Sequence, residues 1–248
     1  QFERVFILRK TIYYWILMSK FYLYLVFNLK RLERHRKDNN LDKFNKISYK
    51  ASDLYVDAIF KSSKCSFEVL GIENIDLNET YFVVSNHLGM VDIAAIMKAF
   101  PKYVSFVSKK ELSKIPVFSR WMRNLGSVFM DRESVRDSIK ELNLGVENLK
   151  KGINLCIFPE GTRSLTKEIG EFKKGSFKMA IKANVKILPT VLVGTRSVYE
   201  ENGNRVCAGD VKVIFLNPID INELSSDDVK NLHKIVRNKI EDTYKNFV

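Results

Sequence analysis

After residue 64 the chain repeats one pattern: a short apolar run, a polar break, then a stretch with helical spacing. The runs are "TYFVVS", "YVSFVS", "GSVFM", "INLCIF", "VKILPTVLV" and "DVKVIFL". They are rich in Val, Ile and Phe with little polar alternation, which is the pattern of strands buried on both faces. Helical periodicity falls between and after them, over residues 134–151, 173–184 and 225–247. Such alternation predicts an α/β fold: a mixed, largely buried sheet flanked by helices. A chain of 248 residues with 46% hydrophobic content can bury one sizeable core, so one α/β domain over residues 63–248 is expected.

Residues 1–62 read differently. "TIYYWILMSKFYLYLVFNL" (11–29) holds a single charge, Lys20, and "KRLERHRK" follows directly. Its apolar residues are not confined to one stripe, so the helix lacks a polar face. Spanning a bilayer takes about 20 apolar residues, and this run is near that limit but interrupted. Tyr and Trp suit the headgroup zone, and an adjacent basic cluster suits anionic lipid. The expected partner is a lipid bilayer, with the helix immersed in one leaflet or spanning it; an ordinary core helix is the plainer alternative. Residues 41–62 have amphipathic helical spacing, so the two segments form a membrane-associating hairpin turning near Asp38-Asn39-Asn40. The formal net charge is +12, and residues 1–50 carry twelve Lys and Arg against four Asp and Glu, or +8 of it. That bias implies an anionic partner. Because the basic residues lie beside the aromatics instead of interleaving with them, a membrane is favoured over nucleic acid.

Several chemistries find no footing. The three cysteines, Cys65, Cys156 and Cys207, have no metal-ligand spacing and are odd in number, which points to a reducing compartment and no metal site. Cys156 lies inside an apolar run and reads as packing. No small-residue cleavage site follows the first apolar stretch, which argues against a removed signal peptide. "GEFKKGS" (170–176) lacks the lysine that a nucleotide phosphate loop places before its Ser or Thr. No GxSxG elbow is present.

What remains collects at the ends of the apolar runs. Asn86-His87 follows the first, Lys109-Lys110-Glu111 the second, Asp131-Arg132 the third, and Pro159-Glu160-Gly161-Thr162-Arg163 the fourth. In open α/β sheets ligands bind outside the carboxyl ends of the strands. His87 and Asp92 stand five residues apart, which on a continuous helix leaves them about 140° apart. On a strand they point to opposite faces. They meet only if the chain turns between them, with His87 in the loop, Gly89 supplying flexibility, and Asp92 in the first turn of a helix over "DIAAIMKAF". A carboxylate so placed fixes the imidazole tautomer and makes a general base. With no protein nucleophile in view, the base should deprotonate a substrate hydroxyl. Arg132, Arg163 and Lys109 or Lys110 suggest that a phosphorylated molecule carries that hydroxyl. A non-enzymatic basic membrane- or nucleic-acid-binding module also accounts for the charge, but not for the His/Asp pair.

Four blocks stand in order: "NHLGMVD" (86–92), "GSVFMDR" (126–132), "FPEGTRS" (158–164) and "ILPTVLVG" (187–194). Together they resemble the signature blocks of the glycerophospholipid acyltransferases, most closely bacterial 1-acylglycerol-3-phosphate acyltransferases, over about residues 65–220. The resemblance implies His87 as general base on the acceptor hydroxyl and Asp92 as its orienting partner. It implies that Arg132, Glu160, Gly161, Thr162 and Arg163 bind or organise the phosphate of a lysophosphatidate acceptor, assisted by Lys109 or Lys110. Pro189 matches the fourth block, on the acyl-donor side. The hydroxyl then attacks an acyl thioester of coenzyme A or acyl-carrier protein directly, with no acyl-enzyme, metal or cofactor, and phosphatidate is formed at the cytoplasmic face of the cell membrane. Another lysophospholipid or an aminolipid is the alternative acceptor. Many members carry polar residues where this chain has Leu88-Gly89.

Overall fold

The computed structural model describes residues 2–131, 134–164, 166 and 168–248. Helix α1 (Phe2–Lys37) runs through both the apolar stretch and the basic cluster. It reverses at Asp38–Asn40 into α2 (Leu41–Ser63), whose first turn is capped by Asn40 accepting the Lys43 amide. One stripe of α1 (Phe21, Leu25, Leu29, Leu32) packs on Ile47 and Ala51 of α2. The opposite side leaves Phe6, Leu8, Ile12, Trp15, Ile16, Leu23 and Phe27 exposed. The helix is long and apolar enough to cross a membrane by length and composition, and only 22% of its most apolar window is buried inside the protein. A core helix would bury far more of it.

The α/β part follows as β1 (Ser66–Leu70), β2 (Tyr81–Ser85), α3 (Val91–Ala99), β3 (Val104–Lys109), α4 (Pro116–Asn124), β4 (Val128–Met130), α5 (Val135–Lys150), β5 (Asn154–Ile157), α6 (Lys178–Ala183), β6 (Lys186–Val193), β7 (Asp210–Phe215) and α7 (Ser226–Lys245). Among the described residues the strands form one seven-stranded sheet in the order β1-β7-β6-β2-β5-β3-β4. From β6 to β4 all neighbours are parallel; β7 is antiparallel to β6, and β1 runs parallel to β7. Five carboxyl ends therefore share one edge, the arrangement that the alternating pattern implied.

The buried runs explain themselves in β2. Tyr81 and Val83 face one core with Ala94, Ala95 and Ile96 of α3, while Phe82 and Val84 face another with Leu149, Ala180, Leu232 and Val236 of α5, α6 and α7. Alternate residues thus feed two apolar layers, so no polar position is left. Cys156 packs in the first layer, and burial pushes its thiol well above the ordinary value. Ser134 and Ser225 cap α5 and α7 by accepting the amides of Asp137 and Asp228.

Three details differ from the sequence reading. Strand β1 was not anticipated, because "SFEVL" is short and breaks its apolar run with Glu68. Helix α4 is only nine residues long and is held from outside. The Trp121 indole donates to the Leu25 carbonyl (2.9 Å), Arg120 pairs with Glu33, and Arg36 donates to the last carbonyls, Arg123 and Asn124. Residues 173–184 form not one helix but a 3-10 turn, Lys174–Phe177, leading into α6.

Candidate active site

Strand β2 delivers Ser85, Asn86 and His87 to the shared carboxyl edge. The buried Asn86 amide donates to the Leu192 carbonyl (2.9 Å) and accepts the Leu192 amide (2.8 Å), fixing the exit of β2 against β6. His87 then stands in the loop and Asp92 in the first turn of α3, with His87 Nδ1 2.7 Å from Asp92 Oδ2. The same Oδ2 accepts the amides of Leu88 (2.6 Å) and Gly89 (2.8 Å), and Oδ1 accepts the Thr195 hydroxyl (2.5 Å). Asp92 is fully buried. As a carboxylate it is an acceptor only, so four donors converge on it and Nδ1 is the ring nitrogen that carries hydrogen. Nε2 makes no hydrogen bond among the described residues and keeps a lone pair. An imidazole held this way can accept a proton at Nε2.

The "FPEGTRS" segment brackets the same histidine. The His87 amide donates to Glu160 Oε1 (2.7 Å), its carbonyl accepts the Ser164 amide (2.8 Å), and its ring stacks on Phe158 with centroids 4.2 Å apart. Glu160 Oε2 accepts the Gly170 amide (2.9 Å), and Arg237 from α7 donates to the carbonyls of Ile169 and Gly170. Burial raises the Glu160 carboxyl above its ordinary 4.5, while the His87 and Gly170 amides pull the other way. Gly161 makes the turn at φ 76°, beyond which Thr162 and Arg163 are exposed. Arg163 Nη1 lies 3.2 Å from Glu200 Oε1.

The remaining predicted residues are spread along the edge. Lys109 is exposed at the end of β3 with no ion pair among the described residues. Lys110 pairs closely with Asp131, the buried residue after β4, and lies 3.8 Å from Asp137. The end of β4 is three strands from β2, or about 14 Å along the edge. Arg132 lies outside the described residues. Pro189 lies inside the sheet, buried beside Val84, and its carbonyl accepts the Leu216 amide just past the end of β7. The reciprocal bond of that pair, to the Leu216 carbonyl, is the one a proline cannot make, and it falls where the β6–β7 ladder stops at Thr190 and Phe215.

Sequence reasoning missed Thr195, Glu200 and Phe158. Thr195 follows Gly194, which sits at φ 75°; a Cβ there would lie 1.9 Å from the Asp210 carbonyl. Only glycine lets the chain turn there toward Asp92. Gly89 also has a different reason from the one expected. Its φ is not positive; instead, a Cβ would lie 2.4 Å from Glu200 Oε2. Among the described residues, no group of three His, Cys, Asp or Glu side chains could hold a metal ion.

Five parallel strands carrying a buried Asp/His pair and an arginine loop at their carboxyl edge fit an enzyme of the acyltransferase family, and this chain belongs to it: the model described as Acyltransferase matches residues 66–193. Among relatives, the 1-acyl-sn-glycerol-3-phosphate acyltransferase of Saccharomyces cerevisiae is 33% identical over 181 residues, covering 72% of this chain and 59% of the yeast protein. The probable 1-acyl-sn-glycerol-3-phosphate acyltransferase of Mycoplasma genitalium is also 33% identical, covering 71% of this chain and 72% of its own. The crystal structure of PlsC from Thermotoga maritima, a 1-acyl-sn-glycerophosphate acyltransferase, superposes with a TM-score of 0.78 at 26% identity. It covers 98% of this chain and 96% of its own.

Proposed function

We propose that this chain moves a fatty acyl group from an acyl thioester, of coenzyme A or acyl-carrier protein, to the free hydroxyl of 1-acylglycerol-3-phosphate, giving phosphatidate. The observation that carries the reading is the His87–Asp92 pair, with Nδ1 engaged at 2.7 Å and Nε2 without a hydrogen-bond partner among the described residues. His87 Nε2 takes the hydroxyl proton as the acceptor oxygen attacks the thioester carbonyl. Asp92 stabilises the imidazolium that forms. Collapse of the tetrahedral intermediate breaks the carbon–sulfur bond, and the leaving thiolate takes the proton from Nε2. Atoms balance with no covalent enzyme intermediate.

Arg163, next to the Ser164 whose amide binds the His87 carbonyl, offers a guanidinium for the acceptor phosphate, with Lys109 further along the same edge and Arg132 as the further cation that the resemblance implies. Glu160 acts on the backbone of His87 and so positions the base. Residues 1–62 are the membrane-associating unit and residues 63–248 the transferase. The outward apolar face of α1, followed by its basic last turns, supports binding to an anionic bilayer on the cytoplasmic side. Both substrates carry acyl chains, so a membrane-bound catalyst meets the acceptor where it resides.

A panel of purified acceptors tests the substrate. Transfer to lysophosphatidate should exceed transfer to a lysolipid without a terminal phosphate; preference for a phosphate-free acceptor or an aminolipid would contradict the role given to the arginines.

A further inference from the structure

Glu200 belongs to none of the four sequence blocks, yet it touches two of them. It lies in a 3-10 turn, Glu200–Asn202, within the connection from β6 to β7. Its Oε1 accepts the Met90 amide at 2.7 Å and stands 3.2 Å from Arg163 Nη1. Its Oε2 is buried, has no hydrogen-bond partner among the described residues, and packs over Gly89, where a Cβ would come within 2.4 Å. The side chain is only 12% exposed, so this carboxylate is sunk between the histidine turn and the arginine loop.

We propose that Glu200 is a positioning residue for acyl transfer: it clamps the His87–Met90 turn and holds Arg163 until the acceptor phosphate displaces it. The inference rests on the function proposed above. Asp92 already binds the amides of Leu88 and Gly89, so Met90 is the next donor in the turn, and Glu200 takes it. The two carboxylates together account for three consecutive amides, which leaves the turn little freedom to carry His87 away from its working position. The glycine at 89 then fits the clamp, since a Cβ there would push the carboxylate off its place against the turn. On the other side, one Glu200 oxygen serves both Met90 and Arg163. An incoming phosphate competes for the guanidinium and meets a like charge, so Glu200 raises the concentration of acceptor needed for binding while it holds the base.

The two halves separate by substitution. Glu200→Ala loses the clamp and should lower kcat about tenfold, the scale of a slight misplacement of a reacting group. Glu200→Gln keeps an oxygen for the Met90 amide but loses the charge; it should retain most of kcat and lower KM for lysophosphatidate about threefold, the scale of one partly exposed ion pair. Gly89→Ala should reproduce the Glu200→Ala loss, and the double variant should be no worse than either single one. Equal loss of kcat in Glu200→Gln and Glu200→Ala, or effects that multiply in the double variant, would overturn the proposal. Amide hydrogen exchange at Met90 reads the clamp without any substrate: Glu200→Ala should speed it by about tenfold or more. Unchanged Met90 exchange sinks the clamp whatever the substrate proves to be. A wild-type protein that transfers nothing to lysophosphatidate sinks the proposed function but leaves the exchange result readable.

Discussion

Thr195 and His87 grip the two oxygens of one buried carboxylate: the Thr195 hydroxyl bonds Asp92 Oδ1 at 2.5 Å and the His87 ring bonds Oδ2 at 2.7 Å. Asp92 therefore cannot rotate without breaking bonds at both ends, and the imidazole orientation follows from it. Asp92→Asn puts an amide where four donors converge and removes the charge that stabilises the imidazolium. The expected loss in kcat is about 10²- to 10⁴-fold, the range for losing a working general base. Thr195→Val frees only Oδ1. It should cost about 1–3 kcal/mol of stability, the scale of one buried acceptor left unpaired, and less activity than Asp92→Asn. Steady-state kinetics with urea unfolding of both variants checks the order; a Thr195→Val enzyme slower than Asp92→Asn would contradict it.

Glu160 gives a pH signature. Burial raises its carboxyl above 4.5, so the folded protein keeps the proton over a range in which the unfolded chain has lost it. The folded state binds more protons there, and stability falls as pH rises from about 4.5 through the folded value. Urea unfolding across this range should show that slope in the wild type and not in Glu160→Gln. A slope of the opposite sign would mean that the His87 and Gly170 amides outweigh burial.

The membrane reading has a built-in reporter. The chain has two tryptophans: Trp15, 54% exposed on the outer face of α1, and Trp121, buried against Leu25. In Trp121→Phe the remaining emission should move to shorter wavelength on adding vesicles that contain anionic lipid. The bound fraction should fall with salt, since each Lys or Arg near the surface contributes about 1 kcal/mol of screened attraction. Emission that ignores vesicles would leave α1 as a face for something other than lipid.

Much of this was legible in the sequence because the relevant distances along the chain are short. The His87–Asp92 contact closes within one strand–turn–helix, so spacing alone fixed the geometry it required. The strands that fill both core layers announced themselves as unbroken apolar runs. Strand β1 and helix α4 did not, since one is five residues with an exposed glutamate and the other depends on Trp121, Arg120 and Arg36 meeting α1. Thr195 and Glu200 were invisible for another reason. They reach the site 103 and 110 residues away from their partners, through the turns that follow β6, and no local pattern records that return. Gly89 was read as a flexible hinge, whereas its smallness serves the approach of Glu200.

His87 carries the central claim, and the direct measurement is single-turnover acyl transfer from an acyl thioester to lysophosphatidate by His87→Ala. The variant should fold and bind vesicles like the wild type while transferring about 10²- to 10⁴-fold more slowly. Transfer within tenfold of the wild-type rate would remove His87 as the base.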